Sequence, residues 1–394
     1  MNDDIIGPDY VDPNLLQNNK DSYYSGGQSS LDDILEEAIR REASDIHLIV
    51  GSQPLFRIMR ELTPAETLPE IKLEQQYEFI KQICKGNKKM LDTLEEEKIL
   101  DTNYNYRNTR FRVNISHSMD VPTMAIRIIK DTLPPFESLN LPPIIKDFAV
   151  KSQGLILVTG KPGTGKSTTL SSIVNEINET ESKKILMLES PIEYVHTNKR
   201  SVIVQKEVSP FGDCKSYHQG VLNALREDSD VLVVGEIRDR ETMDAAIEMA
   251  ETGHLVLGTL HTNSCSETID RIINLYPAED QQIIKFMLAN VLKLVVSQRM
   301  FRGGYGNLVM VPEVLVVDEQ VTGIIKKEKF SNVEVEDAMQ SGREKGNVAL
   351  VFSLADAVIA GKITMNQALK EIDFKRQEML KRIVANGKQR QYYN

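Results

Sequence analysis

The chain has 394 residues, 41% apolar and 26% charged. That is too long for one ordinary core and too apolar for disorder throughout, so two domains, or three, are expected. A net charge of −10 argues against a nucleic-acid partner, because such affinity comes largely from Lys and Arg on phosphates; Cys84, Cys214 and Cys265 stand too far apart for a CxxC zinc ribbon and argue against a disulfide framework.

Met1-Asn2-Asp3-Asp4 offers neither a basic n-region nor an apolar h-region, so no secretory signal is expected. No apolar stretch approaches the ~20 residues that cross a bilayer. With lone cysteines that fit a reducing compartment, the expected setting is the cytoplasm, and any membrane role is peripheral. Residues 1–30 are polar and turn-rich and read as a mobile tail. Ser30 then suits an N-cap, with Leu31, Ile34, Leu35 and Ile39 at helical spacing. Asp32 and Asp33 fit that helix's first turn and Arg40 and Arg41 its last. The run 43–50 predicts a strand, closed by Gly51. Further strands are expected at 54–59, 109–116 and 122–129, with a helix at about 73–84, so residues 31–130 form an α+β domain.

Pro134, Pro135, Pro142 and Pro143 cannot sit inside a helix or central strand, which places an interdomain linker at 131–143. From 144 to 318 the pattern alternates: strand 155–159, helix 166–179, strands 184–188 and 202–205, helix 215–226, strand 231–234, helix 240–250, strand 255–260. That alternation predicts a mostly parallel sheet covered by helices on both faces. Residues 319–394 read mainly helical. The basic segment 374–394 reads as a solvated helix end, with an acidic partner or anionic lipid as the alternative.

The strand Leu155-Ile156-Leu157-Val158-Thr159 feeds Gly160-Lys161-Pro162-Gly163-Thr164-Gly165-Lys166-Ser167-Thr168, a GxxxxGK[ST] phosphate loop. Its glycines let backbone N–H groups turn inward around phosphate oxygens, and the following helix offers its positive end to the same anion. Lys166 is expected on the β- and γ-phosphates and the Ser167 hydroxyl on Mg²⁺, so ATP and Mg²⁺ are the expected ligands.

Triphosphate hydrolysis also needs a carboxylate near Mg²⁺ and a group that orients water. Glu236 ends the apolar strand Val231-Leu232-Val233-Val234 and suits the metal, through water. Glu189 and Glu193 follow another apolar strand, and either suits the water. His254 and His261 bracket one strand, seven residues apart; His261 falls on the ligand side and suits a γ-phosphate sensor, while His254 reads as a structural hydrogen-bonder. Arg107, Arg110, Arg112 and Arg127 lie in the strand-rich N-terminal part, where exposed arginine is usually just solvated. Arg110 and Arg112 share a strand face.

These residues together resemble the secretion ATPases of type IV pili and of type II and type IV secretion, and within them the PilT group of retraction ATPases. The likeness covers about 31–320 and rests on Ala43-Ser44-Asp45-Ile46-His47-Leu48, Glu189–Glu193, Ala224-Leu225-Arg226-Glu227-Asp228, Gly235-Glu236-Ile237-Arg238-Asp239, and Thr252-Gly253-His254 through Leu260-His261-Thr262, in family order. The resemblance implies a homohexamer. Each subunit would have a PAS-like N-terminal domain and a RecA-like P-loop domain, with ATP between them. It implies that Arg112 and Arg127 are arginine fingers, Glu193 the water-activating glutamate, Glu236 the Walker B glutamate, His261 the residue near the γ-phosphate, and Arg238 a support. It also implies an inner-membrane platform protein as partner, at the inner face of the cytoplasmic membrane.

Two departures stand out. Position 190 is Ser where the family pattern has Asp, as in DotB-type ATPases of type IVB secretion. The stretch 321–328 replaces the retraction motif of PilT proteins. The missing tetracysteine motif argues against a type II secretion or pilus-assembly ATPase. A pilus retraction motor is therefore the first reading and a type IVB secretion ATPase the second. A nucleotide-gated scaffold with little turnover is a further one.

Overall fold

The computed structural model describes residues 29–392, other than 60, 130, 131, 152, 305 and 306, and not the side chains of 388–392. The tail expected over 1–30 lies, save Ser29 and Ser30, outside the described residues. The chain divides into two compact units, Met1–Ile128 and Ile129–Asn394.

In the first unit, helix α1 (Leu31–Arg40) starts at Ser30, whose hydroxyl accepts from the Asp33 amide while the Asp33 carboxylate accepts from the Ser30 amide. Such a reciprocal cap satisfies two orphan helix donors and contributes about 1 kcal/mol. Leu31, Ile34 and Leu35 are buried, but Ile39, grouped with them by spacing, is 38% exposed. Strands β1 (Asp45–Ile49), β2 (Leu55–Ile58) and β3 (Glu61–Pro64) follow, then helices α2 (Leu73–Ile83) and α3 (Lys88–Glu97), then β4 (Ile99–Tyr106), β5 (Thr109–Ser118) and β6 (Val121–Ile128). They form one antiparallel sheet in the order β3-β2-β1-β6-β5-β4. Phe111, Val113 and Ile115 of β5 and Met124 and Ile126 of β6 are buried, and the residues between them face outward. This is the period-2 pattern of a sheet with one covered face.

The second unit begins with a short 3-10 helix, Phe136–Leu139, in the proline-rich stretch; Phe136 and Leu141 are buried in this unit's core. Then come α4 (Ile144–Ala149), β7 (Gly154–Gly160), α5 (Lys166–Thr180), β8 (Lys184–Glu189), β9 (Val202–Glu207), α6 (Tyr217–Ala224), β10 (Val231–Val234), α7 (Arg240–Glu251) and β11 (Leu255–Leu260). The chain continues through α8 (Cys265–Ile273), α9 (Gln281–Val291), β12 (Leu292–Arg302) and β13 (Leu308–Val316). The seven-stranded sheet runs β13-β12-β7-β11-β10-β8-β9, parallel except for the edge strand β13.

Alternate residues of the central strands enter different cores. Leu155 and Leu157 pack with Leu232 and Val256, whereas Ile156 and Val158 pack with Val233 and Leu257. Both faces are thus covered, which is why these strands read as continuous apolar runs. Helices α10 (Glu319–Lys326), α11 (Asn332–Ser341), α12 (Leu350–Ile359), α13 (Met365–Leu369) and α14 (Phe374–Tyr392) close the chain. Leu350, Val351 and Leu354 of α12 pack on Phe301 and Val311 of the β12–β13 hairpin. Among the described residues no helix is long and apolar enough to cross a membrane.

Candidate functional site

The parallel strands of the second unit leave their C-terminal ends at one edge of the sheet. β7 ends at Gly160, β8 at Glu189, β10 just before Gly235-Glu236, and β11 just before His261. That edge is where open α/β sheets hold ligands.

The phosphate loop follows from its glycines. Gly160 has φ +144, and a Cβ there would lie 2.6 Å from the Gln298 carbonyl oxygen and from Thr164 Oγ1, so only glycine fits. Gly163 (φ +79) and Gly165 (φ +88) are also left-handed. Thr164 Oγ1 donates to the Lys161 carbonyl at 2.9 Å and pins the turn, in which Pro162 is exposed. α5 starts after Gly165, which brings no capping side chain, so the amides of its first turn, Lys166 to Thr168, point to the loop's concave side. This is a cradle built for an anion, and it fits a polyphosphate.

Around the cradle the polar side chains form a chain of contacts. Lys166 Nζ donates to the carbonyls of Gly160 (2.9 Å) and Lys161 (3.3 Å) and lies 3.4 Å from His261 Nδ1. His261 Nε2 is 2.8 Å from Glu236 Oε1, and Arg238 NH2 is 2.6 Å from Glu236 Oε2. Burial works to raise the Glu236 carboxyl, but the Arg238 hydrogen bond and the charges of His261 and Arg238 hold it below its ordinary value. Burial lowers the Lys166 ammonium, against the opposing pull of Glu236 and Glu193. Glu236 and Lys166 are therefore both half-buried, and Glu236 is fixed as an anion beside the loop.

The two remaining glutamates differ in setting. Glu189 is 7% exposed and accepts from Gln205 Nε2 at 2.9 Å. Glu193 is exposed and acts on Lys166 through its charge. His254 bonds locally, 3.1 Å from Thr252 Oγ1 and from the Met249 carbonyl.

Among the described residues no group of three or more His, Cys, Asp or Glu side chains is arranged to hold a metal ion. The half-buried Ser167, at the start of α5, offers a hydroxyl that fits Mg²⁺ bound to phosphate oxygens.

Three contacts carry no sequence signature. The Tyr194 hydroxyl is 3.0 Å from Thr168 Oγ1, Gln298 Nε2 donates to Thr169 Oγ1 at 2.6 Å, and Met300 Cε lies 3.4 Å from the position a Gly165 Cβ would take. Gln298 and Met300 belong to β12, which the sequence pattern does not reveal. A cavity of about 350 Å³ opens beside Thr164, Gly165 and Thr168 and is lined by Leu139, Met300 and Met310.

In the first unit, register brings the arginines together. Arg112 of β5 pairs directly with Arg127 of β6, Arg127 with Asp45 of β1, and Asp45 with Arg57 of β2. All four lie in one row on one face of the sheet. Arg127 Nε donates to Asp45 Oδ1 at 2.8 Å. Arg112 and Arg127 are exposed. Like charges directly opposite cost stability, of order 0.2–1 kcal/mol. Arg110 shares that face of β5 with Arg112. Arg57 is not apparent from the sequence, because only strand pairing brings it to this row.

A profile of the type II/IV secretion system protein family matches residues 27–390. The type IV pilus retractation ATPase PilT of Pseudomonas aeruginosa is 33% identical over 339 residues, 85% of this chain and 96% of that protein. The crystal structure of the pilus retraction motor PilT with bound ADP superposes with a TM-score of 0.80 at 34% identity, over 89% of this chain and 100% of that one. The Legionella pneumophila ATPase DotB gives 0.75 at 28%, over 88% and 96%. The chain belongs to the type II/IV secretion system protein family and is an ATPase, with a PAS-like α+β domain, a RecA-like P-loop domain and a helical C-terminal extension.

Proposed function

We propose that this ATPase works as a homohexameric, Mg²⁺-dependent motor that retracts a type IV pilus. The observation that carries the reading is the contact chain from Lys166 through His261 to Glu236 and Arg238 at the rim of the phosphate loop. It joins a phosphate-binding cation to a fixed carboxylate through a histidine, which suits a site that distinguishes ATP from ADP.

In this reading the loop amides and Lys166 hold the β- and γ-phosphates, and Glu193 orients the attacking water. Ser167 and, through water, Glu236 would hold Mg²⁺, which would supply neutralisation of phosphate charge. His261 follows the γ-phosphate, and Arg238 keeps Glu236 ionised. Arg112 and Arg127 supply the cation that phosphoryl transfer needs in its transition state. Hydrolysis removes what those arginines bind. What those arginines bind would therefore differ between ATP and ADP, as a nucleotide-driven switch requires. The movement would pass to an inner-membrane platform protein, with the motor at the inner face of the cytoplasmic membrane and no nucleic acid involved. The name of the Pseudomonas relative and the match to the retraction motor support the pilus over other cargo.

Ser190 favours a second reading, a type IVB secretion ATPase, and the likeness to DotB accords with it. One strain separates the two. A deletion mutant that keeps its surface pili but no longer retracts them supports the motor. A mutant that retracts normally and fails to export protein replaces it with the secretion reading. In vitro, phosphate release by the purified hexamer should fall by about 10²-fold or more in Lys166→Ala and in Glu193→Ala. Turnover unchanged by either substitution would refute the assignment of the site.

A further inference from the structure

We propose that Tyr217 is a further positioning residue for ATP hydrolysis, its hydroxyl donating a hydrogen bond to a water at the Glu236 carboxylate. The inference rests on the reading of Glu236 as part of the hydrolytic site.

Helix α6 follows β9 and leads into β10, so it starts at the edge where the parallel strands end. Ser216 caps it, its hydroxyl accepting from the Gln219 amide at 3.2 Å. Gly220 lets the helix lie close on the sheet, since a Cβ there would stand 2.6 Å from Leu188 Cδ1 of β8. Tyr217 comes three residues before Gly220, on the same helix face and nearer the edge. Its ring packs against the core that holds Leu188, Val221 and Val234. Its hydroxyl reaches the end of β10.

There it meets Gly235. A Cβ at Gly235 would lie 3.1 Å from the Tyr217 hydroxyl and 2.9 Å from the Leu188 carbonyl oxygen. The Gly235 amide donates to that carbonyl at 2.8 Å, and the Gly235 carbonyl accepts from Thr259 Oγ1. The backbone from which Glu236 departs is thereby fixed, with the phenol against it.

The surroundings keep this phenol a donor. Burial and the carboxylates of Glu236 and Glu189 push it well above its ordinary value, against the opposing charge of Arg238. It therefore stays protonated. Among the described residues nothing hydrogen-bonds to the hydroxyl, and it is not sealed from solvent. Glu236 already holds His261 on Oε1 and Arg238 on Oε2. A bridging water is then the means by which one more nearby donor serves this carboxylate. Such a water donates to Glu236 and accepts from Tyr217, which fixes its orientation. Phenylalanine would give the same packing without that bond.

Tyr217→Phe thus removes the hydroxyl and keeps the ring. Three measurements on the full chain test the assignment: rapid-quench single turnovers, calorimetric titration with a non-hydrolysable ATP analogue, and thermal melts. The chemical step should slow by about tenfold, the worth of one hydrogen bond near a charge. Affinity for the analogue and the melting temperature should stay at their wild-type values. A wild-type rate in Tyr217→Phe would overturn the proposal, as would a slower step that comes with weaker analogue binding or a lower melting temperature. A wild-type rate in Glu236→Gln, measured alongside, would instead bring down the reading of Glu236 beneath it.

Discussion

In the second unit's sheet, strands β7, β10 and β11 are buried from end to end. In the first unit's sheet, β5 and β6 bury alternate residues and turn Arg112 and Arg127 outward. A strand covered on both faces has no side chain to spare for a ligand, so its chemistry is pushed to the strand's end and the loop beyond. Such residues stay contiguous in sequence, as Gly160–Ser167 and Gly235–Arg238 do. A sheet with one free face can carry ligand-binding groups along its strands, and these meet only through register. Arg112 and Arg127 are neighbours because β5 and β6 pair, not because of where they fall in the chain.

The largest expected effect falls on the loop side of this contrast. Lys166→Ala should lower kcat/KM for ATP by about 10²–10³, because it removes a preorganised cation from the developing charge. Glu193→Gln should lower kcat about 10²-fold or more with nucleotide affinity kept, while Glu189→Gln should mainly cost stability, since Glu189 is buried on Gln205. Steady-state phosphate release and thermal melts separate the two.

On the sheet-face side, Arg112→Ala and Arg127→Ala should each lower kcat about 10²-fold and leave ADP affinity unchanged. The double variant should fall far short of the product of the singles if the pair acts as a unit. Additive losses would mean the row is not one device. Asp45→Asn should cost less, about tenfold in kcat, since Asp45 only orients Arg127. Rapid-quench kinetics against ADP binding reads both.

The smallest effect tests stability away from the site. Burial pushes the Glu313 carboxyl up to about 7, against the lowering charge of Arg299 and the amide of Cys265. Between the ordinary carboxyl value and about 7 the folded chain holds a proton that the unfolded chain has released. Stability therefore falls as pH rises through that window and is flat above it. Glu313→Gln should stabilise the fold relative to wild type at pH 8, by an amount of order 2 kcal/mol, and the gain should shrink toward pH 5. Melts at a series of pH values check this; a gain that grows on acidification would contradict the sign.

Much of the second unit was legible because its strands are short apolar runs and its motifs sit at their ends. The strand expected at 231–234 agrees with the structure, and the helix expected at 166–179 runs to 180. The antiparallel pair β12–β13 was not, although it supplies Gln298 and Met300 to the phosphate loop. Its residues touch the site by tertiary packing alone. In the first unit, β4 reads ILDTNYNY, a polar edge strand without the apolar alternation that would mark it. Register there had to come from three dimensions, and with it came Arg57 and Asp45.

Under the proposed function, Arg112 and Arg127 engage the γ-phosphate of ATP and lose it on hydrolysis. Spin labels placed one on each unit, away from both sites, would report their separation by pulsed electron resonance. Different distance distributions are expected with ADP and with a non-hydrolysable ATP analogue, with loss of that difference in Arg112→Ala and Arg127→Ala. The same distribution with both nucleotides, in a wild-type chain that hydrolyses ATP, would contradict it.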